Sequence, residues 1–198
     1  MPDTDTDESL LRRARAGDEQ AFLSIYMRHR KGVYRFACRL LGGDEAAAED
    51  VTHDCFLSLF KHPERFDAAR GASLRTYLFA AARNLSLKRF RRTAHETLLD
   101  ETLEAQSAPA REQPLSRLLE AELSATVRAA VHALPALQRE VLILFEFENL
   151  SLQEIAVVCG AEVNTVKSRL ARAREGLRRA LAPHLPARRA ELVGASEK

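Results

Sequence analysis

Tryptophan is absent, and aromatic residues make up only 6% of the 198 positions. Runs of β-branched residues are scarce as well, so little here would build a sheet. The three cysteines, Cys38, Cys55 and Cys159, are widely spaced and odd in number. That argues against a disulfide framework and for a reducing compartment. With 8 Gly and 7 Pro, collagen-like and low-complexity classes are excluded. No stretch approaches the roughly 18 consecutive apolar residues of a membrane span, so no membrane insertion is expected. The opening Met1-Pro2-Asp3-Thr4-Asp5 is acidic and carries no apolar run, which reads as lacking a secretory signal. These absences together predict a cytoplasmic protein. What is present is 46% hydrophobic residues, enough for a core, in a length fitting one to two domains.

The net charge of +2 hides strong local bias. Asp44 to Asp54 holds five acids (Asp44, Glu45, Glu49, Asp50, Asp54) and no Lys or Arg. Arg83 to Arg92 holds five bases and no acid. Val163 to Arg179 holds six bases against the single acid Glu175. Two separate basic blocks point to two contacts with a polyanion. On charge alone they read equally as two solvated helix faces.

A period of about 3.6 residues dominates the apolar pattern. Phe22, Ile25, Tyr26, His29, Val33, Phe36, Ala37 and Leu40 trace one stripe of a long helix that stops at Gly42-Gly43. A shorter helix over Ser9 to Ala16 precedes it. A third follows Asp44, with Val51, Cys55, Phe56, Leu59 and Phe60 on one face and Glu49, Asp50 and Asp54 left outside. His62-Pro63 ends it. Ser73 opens a fourth, with Leu74, Tyr77, Leu78, Ala81 and Leu85 as the buried stripe and the basic block at its C-terminal end.

From Thr93 to Ser116 the chain turns polar and acidic and contains Pro109 and Pro114, the signature of a flexible linker. A second domain begins near Arg117, with a helix to Ala133, a break at Leu134-Pro135 and a further apolar helix from Leu137 to Phe145. The expected fold is therefore all-α: two small helical domains, 1–92 and 117–181, joined by a linker over 93–116, with a tail over 182–198.

The functional signal is densest between Ser151 and Arg174. Ser151-Leu152-Gln153-Glu154 is a capping box. Leu152, Ile155, Ala156 and Cys159 make a buried face, and Gly160 supplies a tight turn. Val163, Val166 and Leu170 are the buried positions of the next helix. Asn164, Thr165, Lys167, Ser168, Arg169 and Arg172 are left on its polar face. This is a helix-turn-helix, whose second helix fits the DNA major groove. Asn, Thr, Lys and Arg can read base edges there, and Ser168 and Arg172 can meet phosphates. Within this pattern Cys159 reads as a small core hydrophobe rather than a redox switch.

In the first domain Arg75, Tyr77, Arg83, Asn84 and Lys88 set an aromatic among cations, the arrangement on which single-stranded bases stack. Tyr77 also lies on the apolar stripe, so a core role is open to it. Nothing points to catalysis. His53-Asp54-Cys55 are neighbours on a helix and do not face one another. No Cys or His pair has metal spacing, and no glycine loop cradles phosphate. No enzyme, cofactor or metal is expected. A one-component regulator with a helical sensor is the competing reading, and it leaves the acidic helix unexplained.

Several stretches resemble bacterial RNA polymerase sigma factors of the extracytoplasmic-function (ECF) group. Ala48-Glu49-Asp50-Val51-Thr52, Leu74-Arg75-Thr76-Tyr77-Leu78 and Ala82-Arg83-Asn84-Leu85 resemble their second domain. Leu134-Pro135, Gln138-Arg139-Glu140-Val141 and Thr165-Val166-Lys167-Ser168-Arg169-Leu170 resemble their fourth. Both sets stand in order over about Ser9 to Leu181. The resemblance implies that Glu49, Asp50, Asp54 and Leu57 dock on the clamp of the polymerase β′ subunit. It implies that the loop from Phe66 to Ser73, with Arg75, Tyr77, Arg83, Asn84 and Lys88, holds a melted −10 element. The helix-turn-helix would read the −35 element, Val141 to Phe147 would help bind the β flap, and an anti-sigma factor would be a further partner. The chain departs from the family where Tyr77 replaces a frequent Trp and Glu162 a frequent Ser cap.

Overall fold

Each early helix starts on a side chain that accepts an otherwise unpaired backbone N–H. Thr6 caps α1 (Asp7–Arg15), Asp18 caps α2 (Glu19–Leu40) and Asp44 caps α3 (Glu45–Lys61). Ser73 Oγ accepts from Thr76 N at 3.1 Å and starts α4 (Leu74–Thr97). Then follow α5 (Leu115–His132), α6 (Ala136–Leu142), α7 (Leu152–Cys159) and α8 (Val163–Leu181). The computed structural model describes residues 5–66, 72–97 and 115–184. Among them there is no strand, and no helix is long and apolar enough to cross a membrane.

The first body packs α2, α3 and α4 around Ile25, Phe36, Cys55, Leu59, Leu74 and Leu78, all essentially sealed from water. Edge-to-face pairs Tyr26–Phe56 and Phe36–Phe79 fix the crossings, with ring centroids 4.9 and 5.3 Å apart. Asp7 bonds His29 at 2.8 Å and Arg28 at 2.6 Å, pinning α1 to α2. Arg15 donates to the Phe66 carbonyl at 2.7 Å and so holds the end of the turn after α3.

The second body packs α6 and α7 against α8 around Val141, Ile143, Leu144, Ile155 and Val166. Gly176 lets Leu134 approach α8, because a Cβ there would sit 2.8 Å from Leu134 Cδ2.

Several expectations are corrected. Phe60 is 57% exposed, whereas Phe79 is buried. Tyr77, Ala81 and Leu85 are only half-buried, and Thr76 and Ser86 lie inside instead. The cause is that α4 meets α2 and α3 on one side and α7 on the other, so it has two inner faces rather than one stripe. Helix α4 continues to Thr97 and α5 begins at Leu115, so both edges of the expected linker are helical. The positions between, the loop 67–71 and the tail from 185 lie outside the described residues. The two bodies also share one continuous buried cluster, where the sequence predicted two separate cores.

Burial pushes the Cys55 and Cys159 thiols up to about 12, and the half-buried Cys38 thiol is raised by the same cause. The reactive species is the thiolate, so these sulfurs should be inert. Brief iodoacetamide treatment of the native chain at mildly alkaline pH should leave Cys55 and Cys159 unlabelled by peptide mass mapping. All three should label in denaturant; native labelling of Cys159 as fast as a free thiol would contradict its core placement.

Candidate functional site

The helix-turn-helix forms as its sequence dictates. Ser151 Oγ accepts from Glu154 N at 3.2 Å, and Glu154 accepts from Ser151 N at 2.9 Å, closing the capping box. That backbone bond also holds the Glu154 carboxyl below the usual range. Gly160 turns the chain with φ +59°, the left-handed region that glycine enters without a Cβ penalty. Helix α8 then buries Val166, Leu170 and Ala173. Asn164, Lys167, Ser168 and Arg172 point to solvent, and Thr165 is half-buried. Ser168 Oγ donates to the Thr165 carbonyl at 2.9 Å. Glu162 precedes the helix without capping it.

Arg169 differs from its neighbours. It leans inward, 3.8 Å from Glu140, with only 22% of its side chain exposed. Glu140 is buried, and Arg83 of α4 grips it with Nε at 2.7 Å and Nη2 at 3.1 Å. These bonds raise the Arg83 pKa still further. One carboxylate thus serves an arginine expected to hold a single strand and another expected to read duplex.

A second buried carboxylate follows. Backbone from Ile143 to Phe147 winds as a π-helical turn, and Glu148 N closes it on the Ile143 carbonyl at 3.2 Å. Asn149, at φ +52°, then redirects the chain towards Ser151. The turn sets Glu148 against the first body: Arg39 donates to it at 3.1 Å and Arg35 lies 3.8 Å away. Arg75 donates to the Glu148 carbonyl and stacks over Phe79 with 5.3 Å to the ring centre. Arg39 also covers the Phe147 ring at 4.6 Å. Burial pushes the Glu148 carboxyl up, and Arg35, Arg39 and Arg75 pull it partly back.

Of the other expected strand-binding residues, Asn84 and Lys88 are exposed. Tyr77 is half-buried against Phe66, ring centres 5.6 Å apart, and burial raises its pKa. On α3 the acids Glu49, Asp50 and Asp54 face solvent, with Leu57 exposed beside them. Arg89 reaches Asp50 at 2.9 Å. Val141 to Leu144 are buried in the second body, so of the expected flap segment only Phe145 to Phe147 reach the surface. Sequence reasoning missed Glu140, Glu148, Arg35 and Arg39. Their one signal was a pair of acids bracketing an apolar run.

Comparison with known proteins agrees with this geometry. The family model for Sigma-70 region 2 matches residues 25–96, and that for Sigma-70 region 4 matches residues 124–177. The chain is 30% identical to the ECF RNA polymerase sigma factor SigW of Bacillus subtilis, over 86% of this chain and 94% of that one. It is 31% identical to the RNA polymerase sigma-H factor of Pseudomonas aeruginosa, over 90% and 95%. Among solved structures, the sigma factor RpoE in complex with the anti-sigma factor NepR from Bartonella quintana superposes with a TM-score of 0.66 at 26% identity, covering 81% of this chain and 96% of that one. CnrH in complex with the cytosolic domain of CnrY gives 0.65 at 26%, covering 90% and 99%. With two family regions matched in order over the two helical bodies, the chain belongs to the ECF group of RNA polymerase sigma factors, which are promoter-recognising initiation factors rather than catalysts.

Proposed function

We propose that the two bodies divide promoter recognition between duplex and open strand, in the cytoplasm and without nucleotide hydrolysis. The body within 117–181 reads the −35 element through α8. Asn164 and Thr165 face bases, Arg169 joins them on leaving Glu140, and Lys167, Ser168 and Arg172 meet phosphates. The body within 1–92 captures the melted −10 strand with Arg75, Tyr77, Arg83, Asn84 and Lys88 on α4. Extruding a base costs a few kcal/mol, which stacking and phosphate contacts offset. We assign the stretch between α4 and α5 as the tether and the residues after α8 as the tail.

The observation that carries this reading is the exposed Asn164, Lys167, Ser168 and Arg172 on a helix that buries Val166, Leu170 and Ala173. Glu49, Asp50, Asp54 and Leu57 are the surface we assign to the β′ clamp, an acidic face with an apolar residue at its edge. For the β flap we assign Phe145 to Phe147 with the open groove of about 690 Å³ between α5, α6 and α8, which Leu134, Pro135 and Ala171 help to line. An anti-sigma factor is the expected regulator, since the similar RpoE is solved in complex with the anti-sigma factor NepR.

Run-off transcription tests the whole. Core polymerase with this chain should initiate on a subset of fragments from its own genome, and core alone should not. A one-component regulator would bind fragments without starting RNA synthesis.

A further inference from the structure

Glu148 is the one acid on a cavity of about 300 Å³ at the junction of the two bodies. The cavity is otherwise basic: Arg28, Lys31, Arg35 and Arg75 line it, with His29 beside them. All of those belong to α2 and α4 of the first body, and Glu148 belongs to the second. Its carboxylate is only 1% exposed, held by Arg39 at 3.1 Å and faced by Arg35 at 3.8 Å, while Arg75 takes the backbone carbonyl of the same residue. An anion-binding site on one body is therefore filled by an anion from the other. Arg35 keeps 55% of its side chain in water, so the site is open to competition from a solvent-borne anion. Arginine forks suit phosphate oxygens at least as well as a carboxylate.

We propose that Arg35, Arg39 and Arg75 form a DNA-phosphate site on the first body, which Glu148 occupies as an internal stand-in while the two bodies are closed on each other. The proposal rests on the reading of α4 as the strand-binding helix. It adds α2 to the path of the displaced strand, and it makes closure and strand binding mutually exclusive. Glu140 reinforces the competition by occupying Arg83 in the same way. Polymerase, by drawing the bodies apart, would expose all of these arginines together.

Closure and phosphate binding are separable by variants of the full chain. Glu148→Ala and Arg39→Ala both remove the 3.1 Å pair, so each should open the molecule and raise its radius of gyration in small-angle X-ray scattering. Only Glu148→Ala should bind a fluorescein-labelled, mixed-sequence single-stranded DNA more tightly, by about tenfold. Arg39→Ala should show no gain, and its salt dependence should be shallower than that of Glu148→Ala by about 0.7 in log–log slope. Glu45→Ala, an equal charge change on exposed α3, should stay at wild-type affinity. An equal gain from Arg39→Ala would reduce Arg39 to a latch and overturn the phosphate site. Unchanged scattering and affinity for Glu148→Ala, or an equal gain from Glu45→Ala, would overturn it too. A wild-type chain that never starts RNA synthesis with core would instead sink the promoter reading, since the scattering comparison requires no polymerase.

Discussion

Glu140→Ala should destabilise the chain by about 3–5 kcal/mol, the usual cost of removing one partner from a buried ion pair. Its carboxylate is 1% exposed and answers two cations, Arg83 with 13% and Arg169 with 22% of their side chains exposed. Alanine would leave both arginines partly buried and unpaired, and it would open a void in α6. Urea unfolding followed by far-ultraviolet circular dichroism should show a clearly lower midpoint. Glu146→Ala is the comparison, because Glu146 pairs with Arg174 at 2.7 Å in the open, with 42% and 52% of the side chains exposed. That substitution should cost about 1 kcal/mol or less. Equal midpoints for the two variants would mean that water takes over the role of Glu140. Glu140→Gln should fall between them, because an amide still accepts from Arg83 but carries no charge.

Asp50→Lys should abolish association with core polymerase while leaving the fold intact. The Asp50–Arg89 pair is exposed, at 63% and 44%, so its loss should cost no more than about 1 kcal/mol of stability. At a docked surface the same reversal sets like charges face to face and removes several kcal/mol of affinity, roughly a hundredfold or more. Co-purification with tagged core should be lost, and the unfolding midpoint should barely move. Undiminished co-purification would remove Asp50 from the proposed clamp surface.

The parts legible in the sequence were those fixed by neighbours along the chain. The capping box at Ser151 and Glu154, the turn at Gly160 and the outward acids of α3 depend on residues three or four apart. Such spacing is visible without a fold. Helix α4 was misread because it is covered from two sides. Its periodicity mixes two stripes, so the expected stripe includes the half-buried Tyr77 and leaves out the buried Phe79. The linker edge was misjudged because Arg92 to Thr97 contains no Pro or Gly to stop a helix. The contacts of Glu140 and Glu148 were invisible for a different reason. Arg83 lies 57 residues from Glu140, and Arg39 lies 109 from Glu148. No local pattern encodes pairs so far apart.

The π-helical turn at Ile143 to Phe147 carries one residue more per turn than its surroundings. Were the same residues to wind there as an ordinary α-helix, everything beyond the turn would swing by about 100° around the axis. Glu148 would then miss Arg39 altogether, although every side chain taking part in the contact would still be encoded. Strength of self-restraint in this chain is thus set by helical phase as much as by residue identity. A substitution that lets ordinary α winding take over there would loosen it in a single evolutionary step, leaving α4 and α8 unaltered.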